Sequence, residues 1–148
     1  MNLPVPGNRE LVVVSGLSSD SHTWNLVFLQ LLIEELGHEV VNLGPCVPDG
    51  LLVSECRRLS PGLVVISSVN GHGYQDGMRL IERMRDSEEL SGIPVVIGGK
   101  LGTGGRRNAR YVDPLVAAGY TAVFEEGAAG LEEFRRFAGA LPKRRAVS

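Results

Sequence analysis

Cysteine is nearly missing from this chain of 148 residues: Cys46 and Cys56 are the two present. Two thiols, ten positions apart, are too few for a structural zinc site or a disulfide framework, so reduced thiols in a cytoplasmic protein are the expectation. Charge of one sign is also lacking, since 15 basic and 17 acidic residues leave a formal net charge of −2. The arginines alternate with acidic residues along helical stretches, which leaves no electrostatic footprint for nucleic acid or an anionic membrane. No apolar run approaches the roughly 20 residues that span a bilayer. Nothing near Met1 has the charged-then-apolar pattern of a signal sequence. Internal repeats and low-complexity tracts are absent as well.

What the chain does have is alternation. Five short apolar, β-branched runs recur at Leu11 to Ser15, Glu39 to Leu43, Leu63 to Ser67, Pro94 to Ile97 and Thr121 to Phe124, each followed by helical spacing. Such a (βα)5 pattern predicts an α/β fold: one doubly wound, five-stranded parallel sheet of flavodoxin or Rossmann-like type, with strand order 2-1-3-4-5. A single domain is expected over residues 1–148, with its core at about 9–141 and loosely held ends. The first helix is placed at Trp24 to Leu36, with Leu26, Leu29, Ile33 and Leu36 inward and Gly37 as its stop. Because Val27, Phe28 and Leu31 make its other side apolar too, it is either packed all round or holds a partner surface. Asp49 is the expected cap of a second helix reaching Leu59. A third, from Gln75 to Leu90, carries Met78, Ile81 and Met84 and a solvated charged side. A fourth is placed around Asp113 to Ala118 and a fifth from Leu131 to Leu141.

In a sheet of this order a ligand sits beyond the carboxyl ends of the strands, where the winding reverses between the first and third. Unusual residues gather there: Gly16 to His22 after the first strand, Ser67 to Gly73 after the third, Gly98 to Gly105 after the fourth. Five glycines between Gly98 and Gly105 exceed what a helix entry needs and point to close approach of a ligand to the backbone. Ser67 and Ser68, at a strand end where aliphatic residues are usual, have two readings: donors to a heterocycle over the sheet edge, or a local serine turn.

Asp20-Ser21-His22 is set in the Ser/Gly-rich loop directly after the first apolar run. In an extended segment a carboxylate two residues before a histidine lies on the same side, about 7 Å away between Cα atoms, within reach of the ring Nδ1. That hydrogen bond leaves Nε2 free to accept a proton or bind a metal. Surface decoration or helix capping is the other reading of the tripeptide. His72 is expected to cap or pack a turn, and His38, at a strand entry, to face solvent.

Together these residues resemble the cobalamin-binding family, and within it the small subunits of glutamate mutase (methylaspartate mutase), over nearly the whole chain. That family reads Asp-x-His-x-x-Gly after the first strand, Ser-x-Leu after the third and Gly-Gly after the fourth. This chain has Asp20-Ser21-His22-Thr23-Trp24-Asn25, Ser67-Ser68-Val69 and Gly98-Gly99 in those places. The flanking Val40 to Gly44, Asn70 to Gly73 and Val123 to Gly127 are similar in place and spacing. The resemblance implies adenosylcobalamin as cofactor and a radical carbon-skeleton rearrangement that interconverts (S)-glutamate and (2S,3S)-3-methylaspartate. It implies that His22 replaces the cofactor's own dimethylbenzimidazole as lower cobalt ligand, with Asp20 accepting a hydrogen bond from the imidazole. Ser19, Ser21, Thr23 and Asn25 then lie around the corrin side. Ser67, Ser68 and Val69 meet the detached base, Gly98 and Gly99 let the tail pass, and Lys100, Leu101, Gly102, Thr103 and Gly104 line its outer end. It also implies a separate, larger barrel subunit that holds the substrate, so the chain alone is expected to be inactive. Two departures stand out, Asn25 in place of glycine and Val69 in place of leucine.

Other functions fit parts of the pattern. A flavodoxin-like electron carrier would use the hydroxyls of Ser18 to Thr23 for a phosphate and Trp24 and Tyr74 for stacking, though Asp20 would repel the phosphate. A corrinoid carrier for a methyltransferase would share the cofactor but usually carries an extra helical cap. A phospho-receiver needs an aspartate ending the third strand, where Ser67-Ser68 stands. A metal site from Asp20, His22 and His72 lacks a further ligand.

Overall fold

The computed structural model describes residues 11–16, 24–68, 73–99, 109–125 and 128–141. Along them run β1 (Leu11–Gly16), α1 (Trp24–Glu35), β2 (Glu39–Gly44), α2 (Asp49–Leu59), β3 (Leu63–Ser68), α3 (Gly73–Asp86), β4 (Val95–Gly99), α4 (Ala109–Ala118), β5 (Ala122–Glu125) and α5 (Ala128–Gly139). The strands pair in the order β2-β1-β3-β4-β5, all parallel. This is the doubly wound sheet expected from the alternation.

Strand residues point alternately to the two faces, and that alternation divides the core in two. Val13, Val64, Ile66, Val95 and Ile97 pack against α2, α3 and α4 through Leu52, Val53, Cys56, Leu80, Ile81, Met84 and Leu115. Their neighbours Val12, Val14, Leu63, Val65 and Val96 pack against Leu26, Leu29, Leu32 and Ile33 of α1 and Phe134 and Ala138 of α5. The continuous apolar strands are therefore explained: both faces of the sheet are covered.

Several boundaries and roles differ from the sequence expectation. The first helix is not packed all round: Val27, Phe28 and Leu31 are 51%, 38% and 58% exposed, while Leu32 joins the inward stripe and Leu36 lies at its margin. The residue at the cap of α2 is Pro48, whose side chain makes no capping bond. Asp49 is already helical, and its buried carboxylate accepts from Arg79 Nε at 2.7 Å. Arg79 also reaches Asp76 of its own helix at 3.2 Å; hydrogen bonding to Asp49 leads the causes that raise its pKa. The charged side of α3 is thus not merely solvated.

That helix stops at Asp86 instead of Leu90 because Ser87, Leu90 and Ile93 donate to carbonyls three residues back, in tight turns. Arg85 holds this exit: its guanidinium donates to the carbonyls of Leu90, Ser91, Ile93 and Gly119. Gly119 follows α4, so one side chain satisfies orphan carbonyls from two elements. The helices α4 and α5 begin at Ala109 and Ala128, ahead of the expected Asp113 and Leu131. His38 is buried, 4% exposed, with Nε2 at 3.1 Å from the carbonyl oxygen of Ala138. The turn into β2 runs under the end of α5, which is why a strand-entry histidine is covered.

Both cysteines are free. Burial pushes the Cys56 thiol up from 9.0 to about 12, with the Glu55 carboxylate adding to the shift. Cys46 is exposed. Alkylation of the native protein at pH 8 is therefore expected to label one thiol, Cys46, and to reach Cys56 only in denaturant, as counted by mass spectrometry. Two fast labels would contradict the burial. The same shift has a sign for stability: folding favours the protonated thiol, so its contribution is complete below pH 9.0, where the unfolded thiol ionises, and falls away as pH rises toward about 12.

Candidate functional site

Parallel pairing sends the segments after β1, β3 and β4 out of one edge of the sheet, and at that edge the strands lose their bulk. One row crosses from Val14 to Val65 to Val96 to Ala122. Two residues further along, on the same face, the row reads Gly16, Ser67, Gly98, Phe124. Aliphatic side chains are replaced at three adjacent strands by hydrogen, hydroxymethyl and hydrogen. Because Val14, Val65 and Val96 face α1 and α5, the shelf opens on that layer, at the reversal point between β1 and β3.

The structure brings Ser67, Ser68, Gly98 and Gly99 together. Ser67 and Ser68 are buried, at 4% and 0% exposure, and sit in register with Gly98 and Gly99 respectively. Asn25 lies in the first turn of α1, whose start and the end of β1 bracket residues 17–23. Ser19, Asp20, Ser21, His22, Thr23, Val69, Lys100, Leu101, Gly102, Thr103 and Gly104 lie outside the described residues. Gly16 was not among the expected contacts; strand register, not local sequence, makes it part of the shelf.

The two glycines of β4 have different reasons to be glycine. Gly99 has φ +105°, and a Cβ on it would collide with the carbonyl oxygen of Ser68. Gly98 has no such backbone demand, and a Cβ there would stand 3.1 Å from the Phe124 carbonyl oxygen and 3.3 Å from Phe124 Cβ. Strand packing therefore accounts for Gly99 by itself, whereas Gly98 also keeps the shelf low. Among the described residues no cluster of three or more His, Cys, Asp or Glu could hold a metal ion, and the β3 end carries serines where a receiver would need a carboxylate. The described edge fits a flat or elongated organic group that enters over small residues.

A family model described as the B12 binding domain matches residues 10–135. The chain belongs to the B12-binding domain family. Cobalamin is accordingly the cofactor this domain indicates, and the small-residue shelf of the B12-binding domain suits a group of that shape. Among relatives, a glutamate mutase sigma subunit of Fusobacterium nucleatum subsp. nucleatum is 23% identical over 119 residues, 80% of this chain and 87% of the relative. Among solved structures, a cobalamin-binding protein from Desulfitobacterium hafniense DCB-2 superposes with a TM-score of 0.67 at 19% identity, over 87% of this chain and 59% of that one. The chain thus spans about three fifths of that protein. The signal receiver domain of a histidine kinase from Syntrophus aciditrophicus also superposes, with a TM-score of 0.62 at 14% identity, over 88% of this chain and 90% of that one. The fold is shared with receivers; the family match is what separates the B12-binding domain from them. No helix among the described residues is long and apolar enough to cross a membrane.

Proposed function

We propose that this chain is the cobalamin-holding small subunit of an adenosylcobalamin-dependent carbon-skeleton mutase, namely glutamate mutase, working in the cytoplasm with a separate, larger barrel subunit that binds the substrate. The observation that carries this reading is Asp20-Ser21-His22 in the segment that follows β1, in a chain similar to a glutamate mutase sigma subunit over most of that subunit's length.

In this reading His22 would hold cobalt through Nε2, and Asp20 would accept a hydrogen bond from Nδ1–H. That bond fixes the tautomer and keeps the free nitrogen aimed and basic. The crevice between β1 and β3 would take the cofactor's own base, with Ser67, Ser68 and Val69 there to meet it and Gly98 and Gly99 to give it clearance. Lys100, Leu101, Gly102, Thr103 and Gly104 would border the outer part of the tail, and Ser19, Ser21, Thr23 and Asn25 would stand around the ring. Asn25, where the family has glycine, would have to turn its amide aside or hydrogen-bond a corrin amide. Val69 shortens the leucine of the family by one methylene. Adenosylcobalamin, when bound, supplies the radical chemistry that migrates the carbon skeleton between (S)-glutamate and (2S,3S)-3-methylaspartate. The chain's own work is to hold, orient and bury the cofactor.

Reconstitution tests this. The purified chain mixed with a glutamate mutase large subunit and adenosylcobalamin is expected to form 3-methylaspartate from glutamate, and neither chain alone to do so. Activity from this chain by itself would contradict the division of labour. Cofactor-loaded protein that transfers a methyl group yet never rearranges glutamate would assign it to a methyltransferase as its corrinoid carrier, and a yellow purified protein to a flavin carrier.

A further inference from the structure

The shelf has a roof and an end wall, neither among the residues expected to meet the cofactor. In α5 the inward positions recur at Gly130, Phe134 and Ala138, spaced one turn apart, and all three are buried. Phe134 and Ala138 pack on the sheet layer that contains Val14, Val65 and Val96. Gly130, one turn earlier, therefore comes over the next row toward the strand ends, Gly16–Ser67–Gly98, on the same layer. Glycine weakens a helix relative to alanine, so helix formation does not select it there. At the far end of the row stands Phe124, in register with Gly98. Its ring meets Phe134 edge-on, centroids 5.4 Å apart at 82°, and Phe137 at 5.8 Å and 61°. Phe134 is 4% exposed, but Phe124 and Gly98, though on an interior face, both remain accessible. Gly16 and Ser67, at the other end of the row, are buried, so the row is open at its Gly98 and Phe124 end.

Resting on the proposed reading, we infer that Gly130 and Phe124 complete the slot for the cofactor's detached heteroaromatic base and set the size of base it admits. The missing side chain of Gly130 provides the height, and Phe124, braced by two rings of α5, provides an aromatic stop beside Gly98. From Gly16 to Gly98 the row crosses two strand spacings, about 10 Å, a width that takes a bicyclic base lying over the sheet. A side chain at Gly130 would fill that space from the helix side without touching the imidazole that binds the metal.

The test compares cobalamin with cobinamide, the same corrin lacking the base, in absorption titrations of the whole chain. Gly130→Leu is expected to weaken cobalamin binding by about tenfold or more and to leave cobinamide binding unchanged, with Gly130→Ala in between. Phe124→Leu, which keeps the core filled, is expected to weaken cobalamin by roughly threefold, again without an effect on cobinamide. Since leucine favours helix more than glycine does, circular dichroism and the melting temperature of Gly130→Leu should match or exceed the parent. Wild-type affinity for cobalamin in Gly130→Leu, or an equal loss for both corrinoids, overturns the assignment of the roof. A wild-type protein that binds cobalamin with its base still on the metal overturns the proposed function, and this inference with it.

Discussion

Titration of the His22→Gly protein with cobalamin is expected to give no histidine-ligated, base-off spectrum and an affinity lower by roughly a hundredfold or more. In the proposed site the ligand is one nitrogen, so nothing else in the chain would make up for it. Three histidines are present, and one is excluded by geometry. His38 is buried in the turn before β2 with Nε2 at 3.1 Å from the Ala138 carbonyl oxygen, at the end of the sheet opposite the loops that leave β1, β3 and β4. His72 follows β3 and serves as the control: His72→Gly should keep the spectrum. Binding in His22→Gly should fall without vanishing, because burial of the tail over Gly16, Ser67 and Gly98 does not depend on the metal bond. Asp20→Ala should lower affinity by about tenfold while the ligand stays the same, the result expected when a carboxylate acts through the imidazole it orients. A histidine-ligated spectrum surviving in His22→Gly would remove the basis of the proposed function.

Gly99→Ala should be the most damaging single-methyl change in the described sheet, with a loss of about 3 kcal/mol or more in urea unfolding. Two costs coincide at this position. The backbone holds φ +105°, and the new methyl would occupy the place of the Ser68 carbonyl oxygen, a backbone atom that moves only if β3 moves. Ser68 is fully buried, and its strand is paired on both sides, so the adjustment would spread to the shelf and weaken cobalamin binding as well. Gly98→Ala, one residue earlier, meets Phe124 at 3.1 and 3.3 Å at an ordinary φ, and the edge strand β5 can yield by a few tenths of an ångström. Its cost should be about 1 kcal/mol or less, seen mainly in cofactor binding. Equal destabilisation by the two substitutions would show that the positive φ of Gly99 carries no special demand.

Much of this was legible in the residue order, for physical reasons that are local. Runs such as Leu11 to Ser15 and Leu63 to Ser67 are apolar and β-branched without alternation, and a strand buried on both faces has no other pattern available. The strand order followed from the crossover helices and was found as expected. Membership in the B12-binding family, matched over residues 10–135, was visible because its motifs sit at strand ends, where a few residue types are forced by turn and ligand together. Helix ends were less legible. The third helix stops at Asp86 because Arg85 collects carbonyls from residues 90, 91, 93 and 119, and no window of sequence contains that set.

The sequence by itself determined the sheet and its layers, since each depends on spacing within one segment, and the residues proposed for cobalt are read from it alone. Only the tertiary structure decided that Gly16 joins Ser67 and Gly98 in one row, that Asp49 pairs with Arg79 instead of capping its helix, that His38 is buried under α5, and that Gly99 is fixed by the Ser68 carbonyl. Each of those facts joins residues far apart in the chain, and their contact energy comes into being only when the strands are in register.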